Sequence, residues 1–255
     1  MPKHEIPWLY LGSEIQFLPE DLIHTDTVVQ TIVDCVKKKV PLSLIRIGDG
    51  ELSVMAQDIV LPTEYLKKSA AWNSTKYCGV SLKQDLENHY SMRDKCIEAV
   101  KNADLVGVFP NGEFTNKVFS AIGFRPKQVF YAFGNVYFCF SKGFVDLLIS
   151  DPPLLVGKQA ADFAAYLEKT LGVQAAGVFT EINSPEDLDK TIDYMAHFPH
   201  DWSLVSAGVN ADIIAPIMAK EYGKVCIDYG HGMDVLMNPK YQGRYYFYGH
   251  KTDHL

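Results

Sequence analysis

The chain has no C-x-x-C pair, no G-x-G-x-x-G, no surplus of positive charge and no apolar run long enough to cross a bilayer. Each absence removes a class of protein. The five cysteines (Cys35, Cys78, Cys96, Cys139, Cys226) are scattered and odd in number. A disulfide framework or a structural zinc site needs clustered thiols, so the cysteines read as small buried hydrophobes in a reducing cytosol. Without the glycine fingerprint a nicotinamide or flavin fold is disfavoured. Lys plus Arg number 24 against 31 Asp plus Glu, a formal charge of −7. That argues against a broad nucleic-acid face while leaving room for a local basic pocket. Residues 1–20 mix proline, histidine and acids with their apolar residues, so no signal-peptide core is read there. The expected location is the cytoplasm, with no membrane span, and any work at a membrane is done from that side.

What remains is the composition of an ordinary globular protein, 47% hydrophobic and 22% charged over 255 residues, long enough to bury a sizeable core. Apolar runs alternate with helical periodicity along nearly the whole length. Val28, Val29, Ile32, Val33 and Val36 have helical spacing after Thr25, a candidate N-cap, and Lys37–Lys39 suit the helix end. The strand Leu42–Ile45 follows. Residues 58–81, with Pro62, Trp72, Asn73-Ser74 and Tyr77, read as loop with a short helix. A helical region over 82–102 breaks near Ser91, where Ser91 and Asp94 have capping-box spacing. Further strands are expected at 105–109, 129–133, 154–156, 175–179, 204–206 and 225–229, separated by helices over 113–122, 158–171, from Ser184-Pro185-Glu186-Asp187 onward, and 210–222. Pro216 is expected to kink the last of these and Gly223 to stop it. The aromatics of 137–144 read as core.

With no interior linker and no repeat, the pattern predicts one α/β domain over 1–255, Rossmann-like, with a mainly parallel sheet and helices on both faces. Residues 1–24 are expected to form an N-terminal arm, irregular or a short strand packed on the domain, and 236–255 a C-terminal tail that includes Tyr245–Tyr248. In such sheets ligands collect beyond the carboxyl ends of the strands. Those ends carry the polar residues of interest.

The foremost is Arg46-Ile47-Gly48-Asp49-Gly50-Glu51. Gly48 and Gly50 allow a tight bend and close approach of a ligand. Asp49 and Glu51 are hard oxygen donors of the kind Mg²⁺ or Mn²⁺ takes with substrate phosphates. Arg46 adds a fork suited to phosphate. The same residues fit a plainer role: Asp49 as a helix cap, Glu51 as a first-turn acid and Arg46 as a surface charge at a strand end. The turn Ser206-Ala207-Gly208-Val209-Asn210 opens a helix whose free N–H groups could hold a phosphate, or is an ordinary strand–helix turn. Asp228, His231 and Asp234 form D-x-x-H-x-x-D after a strand, so His231 could be a metal ligand or a proton acceptor, or a turn histidine bonded to backbone. Lys142, after Ser141, could meet a phosphate as a point charge or lie solvated at a helix start. His197, His200, His250 and His254 have no partner spacing and are placed on the surface.

These motifs carry a family resemblance. Arg46–Glu51 resembles the R-[FIY]-G-D-G-E stretch of the GT-D-fold glycosyltransferases of bacterial glycan and adhesin glycosylation. Gly134-Asn135 followed by Ser141-Lys142 is similar to a degenerate G-N-T-F-x-S-R-P-Y segment, and Val225–His231 to a late A-x-D-x-G-H. The matches span about residues 25–235. Lys142 stands where the family usually has arginine, and Gly143-Phe144 replaces Pro-Tyr. Lys158-Gln159-Ala160-Ala161 occupies the place of a glycine- and arginine-bearing loop, and Gly232–Leu236 replaces I-D-I-E-Y. The resemblance implies a GT-D-type fold and a metal-dependent transfer of a sugar from a nucleotide diphosphate donor, UDP expected, to a glycan or glycoconjugate acceptor. It implies Mn²⁺ or Mg²⁺ on Asp49 and Glu51. With the residue readings above, catalytic roles are expected for these two with Asp228 and His231, and substrate contacts from Arg46, Gly48, Gly50, Asn135, Ser141, Lys142, Ser206, Gly208 and Asn210. The rival readings are a metallo-phosphohydrolase acting on nucleotide-sugars and a non-catalytic nucleotide- or glycan-binding module. Nucleic acid is not an expected partner, and self-association stays open.

Overall fold

The run Leu42–Ile45 is apolar almost throughout because both sides of the strand it forms are covered. Leu42 and Leu44 face one layer of helices and Ile45 the other, all buried. The computed structural model describes residues 6–69 and 79–238. The expectations for Trp72, Asn73-Ser74, Tyr77, Cys78, the Tyr245–Tyr248 tail, His250 and His254 lie outside them.

Eight strands make one sheet, every pair parallel, in the order β1-β4-β3-β2-β8-β7-β5-β6. They are β1 (Leu22–Ile23), β2 (Leu42–Arg46), β3 (Leu105–Val108), β4 (Val129–Tyr131), β5 (Leu154–Gly157), β6 (Gly177–Phe179), β7 (Trp202–Ser206) and β8 (Val225–Asp228). Side chains alternate along each strand between two cores. One core packs Leu44, Leu105, Leu204 and Ile227 under α1 (Thr25–Lys38), α7 (Lys142–Ser150) and α8 (Ala160–Leu171), with Met233 of α11 (Gly232–Met237). The other packs Ile45, Val106, Val205 and Cys226 under α2 (Asp49–Met55), α5 (Ser91–Asn102), α6 (Glu113–Ala121), α9 (Leu188–His197) and α10 (Val209–Tyr222). Short helices α3 (Thr63–Lys68) and α4 (Leu82–Glu87) lie between α2 and α5 in the chain. The α/β, Rossmann-like architecture with helices on both faces is what the alternating pattern predicts.

Strand order creates the site. From β2 the chain moves outward through β3 and β4. After crossing to β5 and β6 it returns through β7 to β8, which lies against β2. The helix leaving β2 packs on one face and the helix leaving β8 on the other. Their connections diverge, and a crevice opens above the two carboxyl ends, as at the switch point of other open α/β sheets.

Several local expectations change. The first-helix cap is His24, whose Nδ1 accepts from the Asp26 amide, and not Thr25. The break before α5 is set by His89 and Tyr90, at φ 54° and 61°. The amides of Met92 and Arg93 are taken by the distant Asp85 carboxylate at 2.7 and 3.2 Å, so the Ser91 hydroxyl does no capping. Helix α10 runs from Val209 through Pro216 to Tyr222 and stops at Gly223, which is left-handed with φ 67°. His200 is buried, with Nδ1 2.8 Å from the Phe198 carbonyl oxygen; burial lowers its pKa. Phe138 and Phe144 are core, whereas Phe140 is exposed.

Leu44 is fully buried in the middle strand and Leu11 is exposed. Leu44→Ala should lower stability by about 2–5 kcal/mol in urea unfolding, the range for a buried leucine that leaves a cavity. Leu11→Ala should stay within about 0.5 kcal/mol of the unmutated chain. Equal midpoints for the two variants would contradict the assigned core.

Candidate active site

A cleft of about 440 Å³ opens over the carboxyl ends of the central strands. The β2–α2 turn contributes Arg46, Gly48, Asp49, Gly50 and Glu51. The β7–α10 turn contributes Ser206, Ala207, Gly208 and Asn210, and the segment after β8 contributes Gly230, His231 and Asp234. Its remaining walls include Lys158 and Gln159 after β5 and Ile182–Pro185 after β6.

Arg46 is the hub beneath it. Its Nε lies 3.1 Å from Asp228 Oδ2, and Nη2 donates to Asp228 Oδ1 at 3.3 Å. Nη1 donates to Asn135 Oδ1 at 3.3 Å and to the Ala132 carbonyl at 3.4 Å. The Arg46 amide donates to Asp212 Oδ1 at 3.2 Å. Asn135 in turn donates to the Tyr229 carbonyl, and the Gly230 amide to Asp228 Oδ1 at 3.0 Å. Gly230 has φ 44°, and a Cβ there would stand 1.6 Å from Arg46 Nη2, so only glycine lets the chain pass the guanidinium.

Glu51 turns back onto its own helix start, where Oε2 accepts the Gly48 amide at 3.0 Å. Burial raises its carboxyl above the ordinary range, although backbone amides and the Arg46 charge pull the other way. Burial also raises Asp228, in spite of its ion pair with Arg46. Asp212 is raised furthest, by burial and then by the charges of Asp228 and Glu51; its Oδ2 has no hydrogen-bond partner among the described residues. One guanidinium therefore faces two buried carboxyls, Asp212 and Asp228, and the half-buried Glu51. Burial pulls its own pKa down, and the carboxylates of Asp228 and Glu51 more than offset that. Asp49 is exposed on the first turn of α2, and the concave surroundings still desolvate it enough to raise its carboxyl.

This donor set suits a hard divalent cation: it is all carboxyl oxygen, and Asp49 and Glu51 open onto a cleft. Among the described residues no three His, Cys, Asp or Glu side chains form a group that could hold a metal. An ion on Asp49 and Glu51 would thus keep waters or substrate oxygens, as Mg²⁺-type sites do.

The fold brings Arg46, Gly48, Asp49, Gly50, Glu51, Ser206, Gly208, Asn210 and His231 to one cleft. Ser206 Oγ donates to the Gly230 carbonyl at 2.7 Å, tying the β7 turn to the β8 turn. Asn210 donates through Nδ2 to the Ser184 carbonyl at 2.8 Å, which holds the β6–α9 loop against the helix start. His231 Nδ1 lies 3.1 Å from Asp234 Oδ2. Asp228 and Asn135 are buried below the cleft and brace Arg46. Ser141 and Lys142 are not brought to the cleft: Ser141 starts α7, and Lys142, exposed, pairs with Asp146 one turn on. Sequence reasoning passed over Asp212 and gave Lys158 no role in the site. A lone acid in the apolar run Ala211-Asp212-Ile213-Ile214 was a usable signal for the first, and a cation just past a buried strand for the second.

A model of a GT-D fold-like domain matches residues 23–236. No curated protein and no solved structure matches the chain.

The buried carboxyls set a pH dependence. Their folded pKa values lie above the unfolded value of about 4, so the native state binds more protons above that pH, and stability falls as pH rises through the raised range. Below about pH 4 both states are protonated and the effect vanishes. In chelated buffer, Asp212→Asn should melt at a higher temperature than the unmutated chain at pH 7, with the gap closing toward pH 4. A lower melting temperature for the variant at pH 7 would contradict the charge crowding described here.

Proposed function

The chain belongs to the GT-D-like domain family, and from that premise we propose that it is a metal-dependent glycosyltransferase. GT-D is a glycosyltransferase fold, so glycosyltransferase-like chemistry, with nucleotide-sugar and glycan partners, is the coarse reading that membership carries. The finer reading is transfer of a sugar from a nucleotide diphosphate donor, UDP-linked, to a glycan or glycosylated acceptor. The observation that carries it is the meeting of Asp49 and Glu51 with the β7–α10 turn and His231 in one cleft.

In the transfer an acceptor hydroxyl oxygen bonds to the anomeric carbon and loses its proton. The bond from that carbon to the diphosphate oxygen breaks, and its electron pair stays on the diphosphate. Asp49 and Glu51 would hold Mn²⁺ or Mg²⁺, which when bound supplies Lewis-acid neutralisation of that charge. The start of α10 presents the positive pole of a helix to the same cleft. With Nδ1–H of His231 donating to Asp234, Nε2 is left as the proton acceptor for the attacking hydroxyl. Arg46 touches no reacting atom in this scheme. Pinned by Asp228, it favours the ionised form of Glu51 and fixes the turn that carries the two acids.

With UDP-sugar, acceptor and Mn²⁺, Asp49→Ala and Glu51→Ala should each reduce transfer by roughly 100-fold or more, the scale for losing an electrostatic stabiliser of a transition state. Chelation should abolish transfer and added Mn²⁺ restore it. Free sugar released at one rate with or without acceptor would mean a hydrolase. A UDP-induced rise in melting temperature with no turnover would mean a binding module.

A further inference from the structure

We propose that Lys158 is the side chain that binds the diphosphate of the donor, in place of Arg46 and Lys142; the assignment rests on the glycosyltransferase reading above. A diphosphate needs a cation that can leave water for it, and most basic groups near the cleft are committed elsewhere. Each nitrogen of the Arg46 guanidinium has a protein partner, and its side chain is only 12% exposed. Lys142 has an 88% exposed side chain, pairs with Asp146 and does not line the cleft. His231 is held by Asp234. Lys158 lines the cleft, is exposed and has no hydrogen bond or ion pair among the described residues.

Backbone geometry fixes where that lysine starts. Gly157 ends β5 in register with Ser206 of β7 and has φ 142°. A Cβ on Gly157 would lie 2.4 Å from the Ser206 carbonyl oxygen, so the two backbones meet with no side chain between them. Lys158 therefore emerges beside the Ser206–Gly208 turn that begins α10. Its flexible stem and compact ammonium suit a phosphate oxygen approached from one side. The acids Asp49, Glu51 and Asp234 line the same cleft, and an unpaired lysine supplies the attraction an anionic ligand needs there.

The test is equilibrium binding of UDP, inorganic diphosphate and uridine to the full chain with Mn²⁺, for the unmutated protein and for Lys158→Ala, Lys158→Arg and Lys142→Ala. Lys158→Ala should weaken UDP and diphosphate about tenfold, the scale of one charge-assisted hydrogen bond, and leave uridine unchanged. It should also lessen the salt dependence of UDP binding, and Lys158→Arg should recover most of the loss. UDP and diphosphate affinities within twofold of the unmutated chain for Lys158→Ala would overturn the assignment, as would the loss falling on Lys142→Ala instead. The two ideas fail separately. If UDP binds in a Lys158-dependent way and no sugar is transferred, the glycosyltransferase reading falls and the diphosphate contact stands. If the unmutated chain binds neither UDP nor diphosphate, both fall.

Discussion

A guanidinium taken out of water must be surrounded by acceptors, and the way Arg46 meets that demand organises the molecule's central crevice. Its ion pair with Asp228 joins two adjacent strands through residues 182 positions apart in the chain. The Ala132 carbonyl and Asn135 bring in the segment after β4, and the Arg46 amide reaches the first turn of α10 through Asp212. A buried pair contributes little net stability when its remaining hydrogen-bonding groups are left open. Here they are closed by the segment after β4 and the turn after β8, so the pair works as a geometric constraint: it fixes the ends of β2 and β8 relative to each other.

That constraint leaves an imbalance. Glu51, Asp212 and Asp228 crowd one positive charge, and burial raises each carboxyl. A core selected only for stability would replace such a group with apolar side chains of similar volume. Functional sites are where local rules of this kind are broken. Acids crowded under a cleft that Asp49 and Glu51 also line make the oxygen-donor set proposed above to hold a divalent cation. Lys158 lines the same cleft, where the diphosphate contact is proposed.

Much of the fold was legible because strands buried on both faces appear as nearly unbroken apolar runs, such as Leu42–Ile45 and Leu204–Val205. Helix ends were legible where backbone stereochemistry demands glycine, as at Gly172 and Gly223, both left-handed. The acidic turn was legible too, since its glycines and carboxylates are neighbours in the chain. Capping by Asp85 was not, because the amides it accepts belong to the next helix. Lysines 142 and 158 each follow an apolar stretch, and the family resemblance drew the phosphate role to Lys142, which stands where arginine is usual. Lys142 begins a helix beneath one face of the sheet, whereas Lys158 follows directly on a strand end that opens into the crevice.

The sequence by itself determined which segments become strands and helices, that helices cover both faces, and that Arg46–Glu51 makes a glycine-bracketed acidic turn; these follow from hydrophobic periodicity and local backbone sterics. Only the tertiary structure decided that β8 lies beside β2, that Asp228 and Asn135 serve Arg46 from below, and that Asp212 completes the carboxyl cluster. Strand order is chosen by how whole helical layers pack and by where one buried charge finds its partners. No window of neighbouring residues contains that information.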